Sequence, residues 1–230
     1  MSMFTPQELI AIGLSLKVAL VAAVASLPPG IACGWLLARR RFPGKALLDA
    51  VVHLPLVMPP VVTGYALLVT LGTQGVIGSW LLEHLGVQFA FRWTGAALAC
   101  AVMGFPLMVR AIRLSIEATD RRLEAAAATL GAGPWRVFFS ITLPLAWPGL
   151  VAGVVLAFAK ALGEFGATIT FVSNIPGETQ TLSSAIYGLM QVPGMESGVW
   201  RLAAVSLAIS LVALLLSEWL VRRQHPREDG

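Results

Sequence analysis

The chain has 230 residues, of which 57% are apolar and only 12% are charged, and its mean hydropathy is +0.80. Soluble domains have roughly 45–50% apolar and about 25% charged residues, so this composition excludes soluble globular, disordered and disulfide-rich chains. The net charge of +4 therefore suggests orientation in a membrane rather than nucleic-acid binding. Because the apolar runs are long and unbroken, unlike the strands of a membrane barrel, we expect an all-α polytopic membrane protein.

Five segments are apolar enough to cross a bilayer, which takes about 20 residues each. In chain order, the predicted spans are 18–38, 47–71, 93–109, 148–172 and 202–220. A signal peptide is the alternative for the first segment, but the residues before it include no basic cluster. Between the last two spans, 182–190 predicts a short helix at the membrane surface or dipping into the membrane. We expect one transmembrane domain covering residues 1–230.

Basic residues flank these spans unevenly. One predicted side has Arg92 and Arg201, with Lys17 at the edge of the first span. The other side collects twelve: Arg39, Arg40, Arg41, Lys45, Arg110, Arg113, Arg121, Arg122, Arg136, Arg222, Arg223 and Arg227. The positive-inside rule then predicts an N-terminus outside, a C-terminus inside, and a cytoplasmic location for residues 114–147.

This cytoplasmic segment predicts two helices joined by a tight turn. Residues 123–130 are rich in helix-forming side chains. Gly131 is typical of the glycine that ends a helix, and Pro134 suits the first turn of the next one. The sequence therefore predicts a helix, a glycine turn and a short second helix between two spans.

The second short helix has a bulky apolar face. Trp135, Phe138 and Phe139 supply this face, and Pro144 is expected to end the helix. A short helix with exposed aromatic side chains fits a hydrophobic groove on a partner protein. An amphipathic helix that rests in the lipid surface is the alternative.

The same segment resembles the EAA loop of ABC-importer permeases. That motif reads Glu-Ala-Ala, three residues, Gly, nine residues, Ile, any residue, Leu-Pro. The chain matches its second part at Gly131, Ile141, Leu143 and Pro144. It departs at the acid, because Glu124 lies seven residues before the glycine rather than six, where Ala125 stands. The particular role of Glu124 is therefore open.

Further stretches narrow the resemblance to the molybdate permeases. They are residues 41–45, 53–65, 105–113, 129–139, 164–179 and 217–220. Sulfate permeases share the EAA loop and a related Glu-Phe-Gly element. The stretch Ser-Asn-Ile-Pro-Gly-Glu-Thr at 173–179 distinguishes the chain from them.

The resemblance implies a type I ABC-importer permease fold, embedded in the lipid bilayer of a bacterial inner membrane. It implies a homodimer, two cytoplasmic ATPase subunits and a periplasmic molybdate-binding protein as partners, with no nucleic acid. The chain itself would be non-catalytic and without metal or cofactor, with ATP-Mg on the ATPase subunits. In agreement, the sequence has no G-x-x-x-x-G-K-[ST] motif. The ATPase-coupling loop would comprise Glu124, Ala126, Ala127, Gly131, Ala132, Trp135, Arg136, Phe138, Phe139 and Pro144.

Other functions remain open. A permease for tungstate or sulfate is the nearest alternative, since the spans carry no cluster of oxyanion-binding donors and the substrate rests on resemblance. A secondary transporter without an ATPase is the alternative from another class. A membrane enzyme is disfavoured, because no nucleophile–base pair stands out.

A few polar residues and prolines inside the spans are candidates for the translocation pathway or for helix packing. Lys160 and Glu164 are four residues apart and can form an ion pair on one helix face. Thr168 is expected to bond its own helix backbone or a neighbouring helix. Prolines at 55, 59 and 60 are expected to break the second span. The candidate residues are Pro59, Pro60, Thr63, Lys160, Glu164 and Thr168.

Overall fold

The computed structural model describes residues 4–224. In this part of the chain every regular element is helical. The helices are α1 (Pro6–Arg39), α2 (Lys45–Val57), α3 (Pro60–Leu71), α4 (Val76–Leu85), α5 (Trp93–Ala118), α6 (Arg121–Thr129), α7 (Pro134–Val137), α8 (Leu143–Leu145), α9 (Trp147–Leu162), α10 (Gly166–Val172), α11 (Leu182–Met190) and α12 (Glu196–Gln224). A π-helical segment, Phe138–Thr142, connects α7 to α8.

Three of these helices, α1, α5 and α12, are long and apolar enough to cross a membrane. If each of two bent helix pairs counts as one span, the total rises to five. These pairs are α2 with α3, bent by 113°, and Pro134–Leu145 with α9, bent by 67°. The predicted all-α polytopic fold with about five spans is confirmed at this level. The predicted short helix at 182–190 is also present, as α11.

Helix α1 begins at Pro6, well before the predicted start at Val18. Its first turn is a capping box, in which Thr5 N donates to Glu8 Oε2 (2.7 Å) and Glu8 N donates to Thr5 Oγ1 (3.2 Å). Glu8 also pairs with Arg201 of α12 at 2.7 Å. Residues 9–16 are almost entirely apolar as well, so the capping box starts one long apolar helix that Lys17 only interrupts.

Helices α1, α5 and α9 pack together as the core of the bundle. Small side chains dominate their buried contacts: Ala19, Ala22, Ala23, Ala96, Ala97, Ala99, Ala157 and Ala161. In a membrane, small residues let helix backbones approach closely, which favours association where the hydrophobic effect is weak. The sequence of these spans therefore specifies close packing.

The third span is longer than predicted. It starts at Trp93 as expected, but α5 continues to Ala118 instead of ending at 109, so it includes the first residues of the predicted cytoplasmic segment. Arg113 explains the extension, since it pairs with Asp49 (3.0 Å) and with Glu117 (2.8 Å). This end of the bundle, with Arg39, Arg113 and Arg121, is called the arginine-rich end below. The predicted basic tail at 222–227 lies outside the side chains described.

The second span breaks at two of the three predicted prolines. Helix α2 ends at Val57, and α3 starts at Pro60, because proline lacks the N–H that a continuing helix needs. The expectation for Pro55 is wrong, since it stays inside α2.

The predicted fourth span, 148–172, is also interrupted. Helix α9 ends at Leu162, and α10 begins only at Gly166. The two interrupted spans meet near their breaks, where a Cβ added at Gly64 of α3 would collide with the backbone of Ala167 in α10. The prediction of one continuous span is wrong, because glycines at 163 and 166 flank the break and weaken the helix there.

Candidate functional site

The turn between α6 and α7 has the geometry that the sequence predicts. The side chain of Asp120 caps the start of α6. Gly131 has φ +84°, in the left-handed region that favours glycine. The N–H of Ala132 reaches back to the carbonyl of Ala127 at 3.1 Å, which satisfies the end of α6. The predicted helix–glycine turn–helix is confirmed, with α7 starting at Pro134.

Residues 121–145 are called the coupling segment below, after the role proposed for them. Three of its large apolar side chains are exposed, and we call them the coupling surface: Leu130, Trp135 and Phe139. They are 88%, 75% and 60% exposed, respectively. The rings of Trp135 and Phe139 stack with centroids 6.4 Å apart. Such a cluster beside the polar residues of the arginine-rich end is typical of a protein or membrane contact.

Phe138 belongs to the opposite side of this segment. It is half-buried, and its ring packs edge-on against Trp35 of α1 at a centroid distance of 5.9 Å. Phe138 therefore holds the segment against the bundle, while its neighbour Phe139 faces outward.

Glu124 is likewise turned towards its own chain. Its Oε1 lies 2.9 Å from Nη2 of Arg39, at the end of α1. The same oxygen accepts a hydrogen bond of 2.7 Å from Thr142, which is 2% exposed. Glu124 thus ties α6, the π-helical segment and α1 together.

The other predicted loop residues differ in accessibility. Ala126, Arg136 and Pro144 are exposed, whereas Ala127 and Ala132 are half-buried. The expectation that Pro144 ends the second helix is wrong, since α8 runs through it to Leu145 and the chain bends at Ala146. The π-helical segment accommodates Pro144, because its backbone bonds reach five residues back, as from Leu143 N to Phe138 O.

The ion pair predicted inside the fourth span is present. Lys160 Nζ lies 2.6 Å from Glu164 Oε2, and the Glu164 side chain is only 1% exposed. Glu164 stands just after α9 rather than within it, and its other oxygen accepts from the N–H of Ala167 at 3.0 Å. The carboxylate therefore joins the end of α9 to the start of α10.

The remaining candidates surround the two interrupted spans. Pro60 packs against Gly166, so the breaks of the second and fourth spans are adjacent. Thr168 donates to the carbonyl of Phe165 at 2.9 Å, which confirms the expected bond to its own backbone. Thr63 is 7% exposed, and its hydroxyl has no hydrogen-bond partner within residues 4–224.

Sequence reasoning did not foresee the contacts that hold α1 at its two ends. The sequence alone presents Arg39 only as a charge that sets orientation, and it does not reveal Arg201 as the partner of Glu8. The pattern Thr5-x-x-Glu8 is a capping-box signature that could have placed the start of α1. Among the residues that the structure describes, no group of three or more His, Cys, Asp or Glu side chains is placed to hold a metal ion.

The amino-acid sequence is similar to those of known transport proteins. The chain is 62% identical over 223 residues to the molybdenum transport system permease protein ModB of Escherichia coli (strain K12), with 97% of each chain covered. It is 37% identical over 225 residues to the sulfate transport system permease protein CysT of the same organism, covering 98% of this chain and 80% of that one.

The fold is also shared with a solved structure. A bacterial ABC transporter involved in the import of the acidic polysaccharide alginate superposes with a TM-score of 0.76, covering 96% of this chain and 80% of that chain, at 18% identity. Residues 30–226 match the family described as the binding-protein-dependent transport system inner membrane component. The chain belongs to this family of ABC-importer permeases, the non-catalytic inner membrane components of such transporters, and within it to the molybdenum permease group.

Proposed function

We propose that this chain is the membrane-spanning subunit of an ATP-driven molybdate importer, working as a homodimer coupled to two cytoplasmic ATPase subunits. The coupling surface carries this proposal. The exposed rings of Trp135 and Phe139 lie on a short helical segment that follows a turn at Gly131, whose backbone is in the left-handed conformation. Such a segment forms a ridge that fits a groove on a partner. The 62% identity to a molybdenum permease, against 37% to a sulfate permease, supports the substrate.

The orientation follows from the charges. Arg121 Nη2 lies 3.4 Å from the carbonyl of Ala38, so the end of α1 and the start of α6 share the arginine-rich end with the coupling surface. The positive-inside rule assigns that end to the cytoplasm. The start of α1 and the pair Glu8–Arg201 are then on the periplasmic side, where a molybdate-binding protein would deliver the anion.

The transport cycle follows from this arrangement. Closure of the ATPase pair on ATP would draw the two coupling surfaces together and shift the helices attached to them. The interrupted spans are the elements best suited to rearrange, because their breaks leave short helices that can pivot. Opening towards the periplasm would admit the anion, and the return to the resting state would release it inside.

The interior of the spans suits passage of a dianion better than its retention. The close pairing of Lys160 with Glu164 neutralises a carboxylate that would otherwise repel an anion. The sequence of the spans carries no cluster of arginines and hydroxyls that would bind an oxyanion tightly. Selection of molybdate is therefore assigned mainly to the separate binding protein.

Uptake of labelled molybdate in cells with and without this gene tests the proposal. At nanomolar molybdate, deletion of the gene should abolish molybdate uptake. In cells that carry the gene, excess sulfate should reduce molybdate uptake only slightly. Strong competition by sulfate would assign the permease to another oxyanion. In inside-out vesicles loaded with labelled molybdate and its binding protein, ATP added outside should drive efflux, and efflux that is unchanged by the ATPase inhibitor vanadate would favour a secondary transporter.

A further inference from the structure

We infer that α1 is a strut that carries movement of the coupling segment across the membrane to the periplasmic ends of α11 and α12. The inference rests on the proposed function, because it needs an ATPase that moves the coupling segment. It adds a transmission element and names the positioning residues, Arg39, Glu124 and Glu8, that fasten it.

The cytoplasmic end of the strut is fastened by two independent contacts. The first is polar: Arg39, whose side chain is 8% exposed, pairs with Glu124 and also donates to the carbonyl of Thr119 at 3.2 Å. The second is aromatic, between Trp35 and Phe138. A segment held by both contacts cannot move far without moving the end of α1.

The body of the strut is one helix of 34 residues, about 50 Å long at 1.5 Å per residue. Pro28 and Pro29 lie inside it and remove backbone hydrogen bonds, which would ordinarily favour a kink. The helix continues through them because α5 supports it closely. A Cβ added at Gly30 would lie 2.9 Å from the sulfur of Met108, and one at Gly34 would lie 2.9 Å from the side chain of Ile112.

The periplasmic end is fastened to two other helices. Glu8, with a side chain 7% exposed, accepts from Arg201 of α12 at 2.7 Å. About two turns further along, Ser15 Oγ accepts from the N–H of Leu182, the first residue of α11, at 2.6 Å in a buried position. Displacement of α1 therefore displaces the helices that border the periplasmic side of the interrupted fourth span.

Packed helices with two arrangements can couple distant sites, but contact alone does not demonstrate coupling. The alternative is that these ion pairs only stabilise the fold. Both roles predict some loss of thermal stability when a pair is broken. Only a strut predicts that the periplasmic end of α1 stops responding to nucleotide on the ATPase while the complex stays assembled.

The test uses the complete complex with its ATPase subunits in nanodiscs. Cys33 and Cys100 are replaced by alanine, and Gln7, which is exposed, is replaced by cysteine and spin-labelled. Trapping with ADP and vanadate should shift the distance between the labels of the two copies. In the single variants Glu124→Gln and Arg39→Gln, the distance shift should fall to roughly half of the wild-type value or below. The number of molybdate ions transported per ATP should fall about tenfold, which is within the range typical of coupling between distant sites.

Matched variants separate the possible results. Glu117→Gln removes a carboxylate that pairs with Arg113 of its own helix, and it should leave the label shift intact. Arg39→Lys keeps the charge and should restore most of the shift. An undiminished shift in Glu124→Gln and Arg39→Gln would overturn the strut and leave the proposed function standing. A wild-type chain that retains no ATPase subunit would overturn the proposed function itself.

Discussion

The coupling segment and the interrupted spans place their side chains in opposite ways. At the arginine-rich end, Trp135 and Phe139 expose large apolar rings, while the charged Glu124 is turned inward to Arg39. Within the spans, the charged pair Lys160–Glu164 is drawn into the protein among apolar helices. Exposed apolar groups are stabilised when a partner covers them, whereas a buried charge needs an opposite charge and hydrogen bonds within the protein. The first region therefore leaves apolar surface for the proposed partner to cover, and the second joins two interrupted helices.

The largest effect is expected from breaking the Lys160–Glu164 pair. Lys160→Met removes the cation beside a carboxylate that is 1% exposed. Because the Lys160 side chain is itself 30% exposed, the loss should lie at or below about 3–5 kcal/mol, the cost of breaking a fully buried pair. Removing both charges, in Lys160→Met with Glu164→Leu, should cost less, although the bond from Ala167 N to Glu164 is then lost too. Thermal unfolding in detergent measures the difference. Equal losses in the two variants would show that the ion pair does not act directly.

The next effect concerns the glycine turn. Gly131→Val forces a β-branched residue to φ +84°, which costs about 1–3 kcal/mol, and it should lower ATPase retention and transport while membrane insertion persists. Gly133→Val is the control, since Gly133 lies in the same turn at φ −65° with open space around its Cα. Co-purification of the ATPase subunit compares the two. Full retention in Gly131→Val would mean that the turn does not shape the docking surface.

Phe138 and Phe139 are adjacent but should behave differently. Phe138→Ala removes the packing against Trp35 and should destabilise the permease by about 2 kcal/mol, less than a fully buried phenylalanine. Phe139→Ala alters an exposed ring and should stay within about 0.5 kcal/mol of the wild type. Unfolding of the permease without its partners checks this. The reverse order would mean that the inner and outer faces of the segment are misassigned.

The smallest effect on transport is expected from the cysteines, which are both free. Cys100 is buried in the alanine-rich core and Cys33 is half-buried, so Cys→Ala at either position removes little packing and should cost about 1 kcal/mol or less. Transport of molybdate should stay near the wild-type rate. An inactive variant would reveal a thiol function.

Local signals predicted the coupling segment better than the spans. Gly131 and Pro134 fix the turn through their own backbone preferences, so the sequence alone was sufficient there. The pair Lys160–Glu164 was predictable because its partners are four residues apart. Arg39 and Glu124 are 85 residues apart, and only the packing of α1 beside α6 brings them together. The break at 163–165 combines its flanking glycines with the packing of Pro60 against Gly166, and the π-helical segment is bonded to Glu124 through Thr142. These tertiary contacts explain why a continuous span and a helix end at Pro144 were expected.

The central claim, that the coupling surface docks on an ATPase, is tested most directly by the amount of ATPase subunit retained on the purified permease. The test variant is Trp135→Ala with Phe139→Ala. The control is Trp200→Ala with Met190→Ala at the opposite end of the bundle, where Trp200 is 75% exposed, like Trp135. Loss of the ATPase from the test variant, with full retention by the control and the wild type, is the predicted result. Equal retention by all three would contradict the account.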